Sequence, residues 1–140
     1  MAGYSRHPMK IRLEHGLPYI TVSIEFRGKQ LALENALLDT GSAGSVFAAD
    51  KLLGIGLQYE PNDSIHRIRG VGGTEFVFTK TVNRLVLDQL EASHFEIEVE
   101  AMGYGFDIDG IVGMDFLAQV SALVDLAHLE IRLPSLTGHI

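Results

Sequence analysis

Apolar and polar residues roughly alternate over residues 10–14 and again over residues 19–26, the two-residue period of half-buried strands, and residues 16–18 between them supply turn chemistry. A hairpin is predicted there. Arg27, Gly28 and Lys29 offer a second turn into residues 31–38, where the alternation gives way to the apolar run Ala36, Leu37, Leu38 and stops at Asp39. Ser45 is predicted to cap a short helix over residues 46–53, which Gly54 and Gly56 would end. Two further strands, residues 65–69 and 74–79, flank Gly70, Val71, Gly72 and Gly73, where glycine permits positive φ and a mobile tip. Residues 84–87 and 95–101 read as two more strands, separated by a polar stretch with Asp88, Glu91 and Ser93. After a loop over residues 103–110, Asp115 is positioned to cap a short helix through Val120, and residues 122–125 with 129–133 form a last hairpin. With no long helix, repeat or interdomain linker, the pattern is all-β: a small closed β structure with one or two short helices.

Composition narrows the classes of function. At 140 residues and 46% hydrophobic, the chain has material for one domain with a real core, expected to span residues 1–140. Eighteen acidic residues against 11 basic ones give a net charge of -7, and no basic stripe is interleaved with aromatics, so nucleic acid is not an expected partner. Without cysteine there are no disulfides, thiolate metal sites or cysteine nucleophiles. The first ten residues carry Arg6, His7 and Lys10 with no apolar segment behind them, so no secretory signal is read and a cytoplasmic location is expected. Residues 110–129 are the most apolar stretch, but Asp115, Gln119, Asp125 and His128 interrupt it, as suits a buried helix and strand rather than a membrane span.

The chemistry centres on Leu37, Leu38, Asp39, Thr40, Gly41, Ser42, Ala43, Gly44, Ser45. A carboxylate at the end of a buried strand, followed by a hydroxyl and a glycine, can be held by backbone donors while its outer oxygens face a water molecule. That is the arrangement an aspartic peptidase needs. The triplet occurs once, whereas water activation by paired carboxylates needs two aspartates sharing a proton, so the second is expected from another copy of the chain. A bare Asp Thr Gly arises by chance in roughly a few per cent of chains this long, and ordinary turns also favour aspartate and glycine. Its weight comes from the order in which four features appear: apolar strand, Asp Thr Gly Ser, glycine-tipped hairpin, then Gly110, Ile111, Val112, Gly113, Met114, Asp115, Phe116, Leu117.

With these segments in view, the chain resembles the retropepsin-like aspartic peptidases, the single-lobe group of retroviral and retrotransposon proteases and their cellular relatives, over about residues 10–133. The resemblance implies a small closed β barrel of the acid protease type. Ile111, Val112 and Gly113 match the segment that packs beneath the catalytic loop in that family, and residues 122–133 look like the closing hairpin of the retrotransposon branch. The roles it implies are as follows: Asp39 supplies half of a dyad completed by Asp39 of a second copy. Thr40 fixes the loop across the twofold axis, and Gly41 lets the backbone approach its mate and the substrate. Ser42 and Ala43 line the substrate, with Ser42 donating to the outer carboxylate oxygen. Ile68, Gly70, Val71, Gly72 and Gly73 form a flap over an extended polypeptide. No cofactor and no metal is implied. The chain departs from the retroviral pattern where Ala43, Gly44 and Met114 replace acidic residues and an arginine, so that ion pair cannot form and the dimer needs other support.

Asp115 lacks the hydroxyl and glycine that would open a catalytic loop, so a capping or structural role is expected. Asp107 and Asp109 fit a solvated turn better than a substrate contact. The six histidines show no metal-ligand spacing. Ser42 and Ser45 lack the flanks of a nucleophile elbow. The glycines of residues 70–73 lack the lysine of a phosphate loop. Arg67 and Arg69 read as solvated strand charges beside the hairpin tip. A noncatalytic dimerisation or peptide-binding module with the same fold is the alternative from another class, although a pure scaffold has no physical need for a carboxylate at a crowded symmetry axis.

Overall fold

The computed structural model describes residues 8–70, 73–101 and 107–134, with residues 67–70 and 73–76 described by their backbone alone. Val71 and Gly72 of the predicted flap lie outside the described residues.

Three two-residue turns join successive antiparallel strands. β2 (Arg12–Glu14) turns through His15 and Gly16 into β3 (Leu17–Phe26), which turns through Arg27 and Gly28 into β4 (Lys29–Leu38). Later, β7 (Gly73–Leu87) turns through Asp88 and Gln89 into β8 (Leu90–Glu100). Positive φ at His15, Gly16, Arg27, Gly28 and Asp88 gives these turns the twist that matches right-handed strands. β1 (Met9–Lys10) precedes them and joins β10 (Leu123–Asp125) and β11 (Glu130–Arg132) in a separate three-stranded sheet.

With β5 (Val46–Ala48), β6 (Ile65–Gly70) and β9 (Gly110–Val112), the main sheet has eight strands in the order β2-β3-β4-β9-β5-β8-β7-β6, and a further β3–β7 pairing, Ser23 opposite Val86 and Ile24 opposite Leu85, closes six of them into a barrel. Alternate side chains of these strands fill it: Ile20, Val22, Ile24, Leu33, Phe47, Val82, Leu85, Ile97, Val99 and Val112 are buried, with Phe116 of α2 (Met114–Gln119) beneath. Each such side chain contributes roughly 1.5–3 kcal/mol when fully buried.

Two predicted elements resolve differently. Residues 46–53 are not one helix: β5 (Val46–Ala48) comes first, then α1 (Ala49–Leu52) and a 3-10 turn (Leu53–Ile55) ended by Gly56 in the left-handed conformation. The helix is preceded by Ala48, so Ser45 caps nothing; Phe47, fully buried, pairs with Val99 on one side and Gly110 on the other, and that double pairing outweighs local helix signals. The predicted strands 74–79 and 84–87 are parts of one 15-residue strand, β7. Polar Lys80, Thr81 and Asn83 suggest a break, but Lys80 is buried through ion pairs and the ladder runs on.

β9 (Gly110–Val112) positions the site. It is inserted between β4 and β5, parallel to the first and antiparallel to the second. Since β4 and β5 are successive in sequence, the connection over residues 39–45 has to cross the C-terminal end of β9.

Candidate active site

Asp39 leaves β4 with its amide donating to Val112 O at 3.0 Å, which carries the ladder one residue beyond the strand. The chain then folds back on itself. Gly41 N donates to Asp39 Oδ1 at 2.9 Å, and Ser42 N donates to Asp39 O at 3.2 Å. A side chain at Gly41 would bring a Cβ to 3.3 Å from Asp39 Oδ1, so glycine lets the amide approach the carboxylate closely. Among the described residues no other donor reaches that carboxylate, which is half-buried, while Thr40 and Gly41 are exposed beside it. The result is one oxygen fixed by a backbone donor and the other without a donor among the described residues.

Ser42 departs from its expected part. Its hydroxyl donates to Gly44 O at 2.7 Å, so that proton braces the loop instead of pointing at Asp39. Ala43 is exposed and its carbonyl accepts from Asp115 N at 3.2 Å, while Ser42 O accepts from Met114 N at 2.8 Å. The first amides of α2 thus hold the loop from beneath, satisfying donors that a helix start leaves open. The fit depends on Gly113: an added Cβ would stand 2.3 Å from Gly44 O and 2.7 Å from Ser42 O.

Ser45 and Asp115 form a brace that the sequence did not disclose. Ser45, 1% exposed, donates through Oγ to Asp115 Oδ1 at 2.7 Å and accepts from Gly113 N at 3.0 Å. Its own amide donates to Asp115 Oδ2 at 3.1 Å, and Phe116 N donates to Asp115 Oδ1 at 2.7 Å. Asp115 is therefore structural, as expected, but α2 is preceded by Gly113, and the carboxylate ties the loop to the helix across 70 residues of sequence. No local pattern signals such a pairing. Asp109 also differs from the solvated-turn expectation: it is 6% exposed, accepts from Asn35 N at 3.0 Å and lies 3.5 Å from Lys51 Nζ, joining β4 to the approach to β9. Asp107 is exposed.

The far side of the loop faces the β6–β7 hairpin, where β6 is Ile65–Gly70. Gly44, Ser45 and Asp115 line a cleft of about 420 Å³ together with Ser64, His66 and Thr79. The hairpin ladder continues to Gly70 opposite Gly73, with Ile68 opposite Glu75. The end of the loop at Gly44 and Ser45 thereby shares this cleft with the base of the hairpin, while Asp39, Thr40, Gly41, Ser42 and Ala43 do not line it; the side chains of Arg67, Ile68 and Arg69 lie outside the described residues.

A closed β barrel whose Asp Thr Gly loop crosses a buried inserted strand defines the retropepsin-like fold. The fold matches the crystal structure of a retropepsin-like aspartic protease from Rickettsia conorii, with a TM-score of 0.64 at 16% sequence identity, covering 89% of this chain and 98% of that one. The chain belongs to the aspartyl protease family, whose profile matches residues 22–116, a span that contains the Asp39 loop, the hairpin and the start of α2. No curated protein matches it. Among the described residues, no helix is long and apolar enough to cross a membrane.

Proposed function

We propose that the chain is one half of a homodimeric aspartic endopeptidase in which two Asp39 carboxylates, one from each copy, activate a water for peptide hydrolysis. The observation that carries this reading is the geometry at Asp39: one carboxylate oxygen is held by the Gly41 amide while the other has no donor among the described residues, in a loop whose Thr40 and Gly41 are exposed. Asp115, the alternative within the chain, is occupied by Ser45 and Phe116 and is not free to complete a dyad. The second acid therefore comes from a second copy.

In the chemistry that follows, two like charges in contact share one proton. The ionised carboxylate takes a proton from the bridging water as its oxygen attacks the peptide carbonyl. The protonated partner hydrogen bonds to the developing oxyanion. Collapse of the tetrahedral intermediate returns a proton to the leaving amine, and no covalent intermediate forms. The Thr40 side chains are read as meeting across the twofold axis. Ala43, Ile68 and the Gly70 to Gly73 tip are read as bordering an extended substrate held by backbone hydrogen bonds and covered by the hairpin. The two titrations belong to the pair, so the rate profile is expected to be bell-shaped on the acidic side of neutral.

The test joins cleavage of a peptide library to sedimentation equilibrium. Dimeric wild-type protein that cleaves, together with an equally dimeric Asp39→Asn variant that does not, supports the reading. A monomer that cleaves at full rate, or a variant that retains turnover, defeats it.

A further inference from the structure

The segment that feeds β6 is fastened to the underside of β7 at three successive points. Tyr59 packs edge-on against Phe78, with ring centroids 5.7 Å apart. Lys80 Nζ lies 2.7 Å from Glu60 Oε1 and 2.6 Å from Asp63 Oδ2. Thr79 N donates to Ser64 O at 3.0 Å. Beyond Ser64 the chain enters β6, an edge strand that among the described residues pairs only with β7. On the β7 side the hairpin is rooted in the β7–β8 ladder, which runs to Val77 opposite Glu100; on the β6 side its root is whatever holds residues 59–64.

Of the three, the Lys80 cluster is the most elaborate. The Lys80 side chain is 5% exposed and its ammonium stands 6.0 Å from the centre of the Phe26 ring. Asp63 Oδ2 accepts from both Lys80 and Glu60 N, the latter at 2.7 Å, while Asp63 N donates to Glu60 O at 2.9 Å, closing the turn around the ammonium. Arg27, in the β3–β4 turn, grips Glu60 with two hydrogen bonds of 2.8 and 3.2 Å, and its own amide donates to Asn83 of β7 at 2.7 Å. Hydrogen bonds from Arg27 and then from Lys80 hold the Glu60 carboxyl at about 2. Burying an ammonium costs desolvation that an apolar side chain would avoid, so such a cluster adds little net stability and instead specifies one arrangement of the groups around it.

We propose that Lys80 is a positioning residue for substrate capture: clamped between Glu60 and Asp63, it fixes the pitch of the β6–β7 hairpin over the Asp39 loop. The inference rests on the peptidase reading above for its consequence, but its physical part does not. Lys80 touches neither the Asp39 loop nor the cleft beside it, so it acts through the hairpin. Loosening the anchor leaves the carboxylate geometry intact and lets the cover wander.

The experiment measures amide hydrogen exchange and fluorogenic peptide-library cleavage on Lys80→Met, Lys80→Arg and Asp63→Asn, all in the full chain. For Lys80→Met, exchange over residues 65–70 and 73–79 is expected to accelerate by roughly tenfold relative to the barrel strands β3 and β4. KM is expected to rise several-fold with kcat nearly unchanged, and Lys80→Arg to restore both in large part. Asp63→Asn, a milder change, is expected to show the same selectivity if Lys80→Met does not fold. Exchange that stays unchanged in the hairpin, or accelerates evenly across the barrel, overturns the proposal, as does a loss confined to kcat. Hairpin-selective exchange in a protein whose wild type cleaves no peptide upholds the anchor and sinks the peptidase reading, so the two failures are told apart.

Discussion

The Asp39 loop and the base of the β6–β7 hairpin face one cleft, yet they are held by different forces. The loop rests on peptide hydrogen bonds, Met114 N to Ser42 O and Asp115 N to Ala43 O, and on a close approach that only a glycine at position 113 permits. The hairpin base rests on an ammonium between two carboxylates with a guanidinium behind one of them. Packing and peptide hydrogen bonds tolerate almost no displacement and respond little to pH. Ion pairs can be loosened by degrees. For the peptidase proposed above, a rigid loop beside an adjustable hairpin would suit a site that has to admit a polymer and then enclose it.

The contrast can be broken most severely at its rigid end. Asp39→Asn changes no volume, so the fold and the sedimentation behaviour are expected to persist while peptide cleavage falls by on the order of 10⁴-fold or more. Gly113→Ala is expected to cost activity by roughly a hundredfold, because the new Cβ forces Gly44 O and Ser42 O away and misplaces the carboxylate. Gly110→Ala sharpens the point: its Cβ would meet the Phe47 ring at 2.3 Å, inside the barrel, so the melting temperature should drop along with any activity rather than activity alone.

Ser45→Ala tests the brace. It leaves the Gly113 amide without its acceptor and strips a donor from Asp115, a loss of about 1–3 kcal/mol that chemical denaturation would register. The smallest effect belongs to the hairpin end. Glu60 is held at about 2 against an ordinary 4.5, facing Arg27 and Lys80 as cations and Asp63 as a fellow acid. A depressed carboxyl stabilises the native arrangement fully above its ordinary value, and that support is lost as pH falls from 4.5 towards 2. Protection of the β6 amides, relative to their intrinsic exchange at each pH, is therefore expected to fall a few-fold across that window while the Met114 and Asp115 amides, bound to the carbonyls of Ser42 and Ala43, stay protected. Equal loosening of both regions would erase the distinction between them.

Local chemistry accounts for much of what the sequence made legible. The two-residue turn at Arg27 and Gly28, alternation in β3, and the glycine pair that closes the β6–β7 hairpin are each written within a few residues, whereas the polar residues Glu91 and Ser93 hid the first half of β8. The Asp39 loop was legible for the same reason, since a carboxylate, a hydroxyl and a glycine at the end of an apolar run already specify a tight backbone-held turn. What failed was every inference that assigned a residue to its neighbours in sequence when its partner lies far away. Ser45 looks like a helix cap and instead meets Asp115; residues 80–83, left between two predicted strands, continue a single one in which Lys80 is buried by Glu60 and Asp63.

The tight turns, most of the strand segments and the identity of the candidate acid follow from the chain alone, because they depend on backbone conformation and on the period of burial along one segment. Only the tertiary structure decided that β9 slides between β4 and β5, that residues 46–48 become a strand and that Asp109 is sealed beneath Lys51. Those outcomes turn on which distant groups can satisfy a buried donor, acceptor or charge, and that balance is settled when the barrel closes.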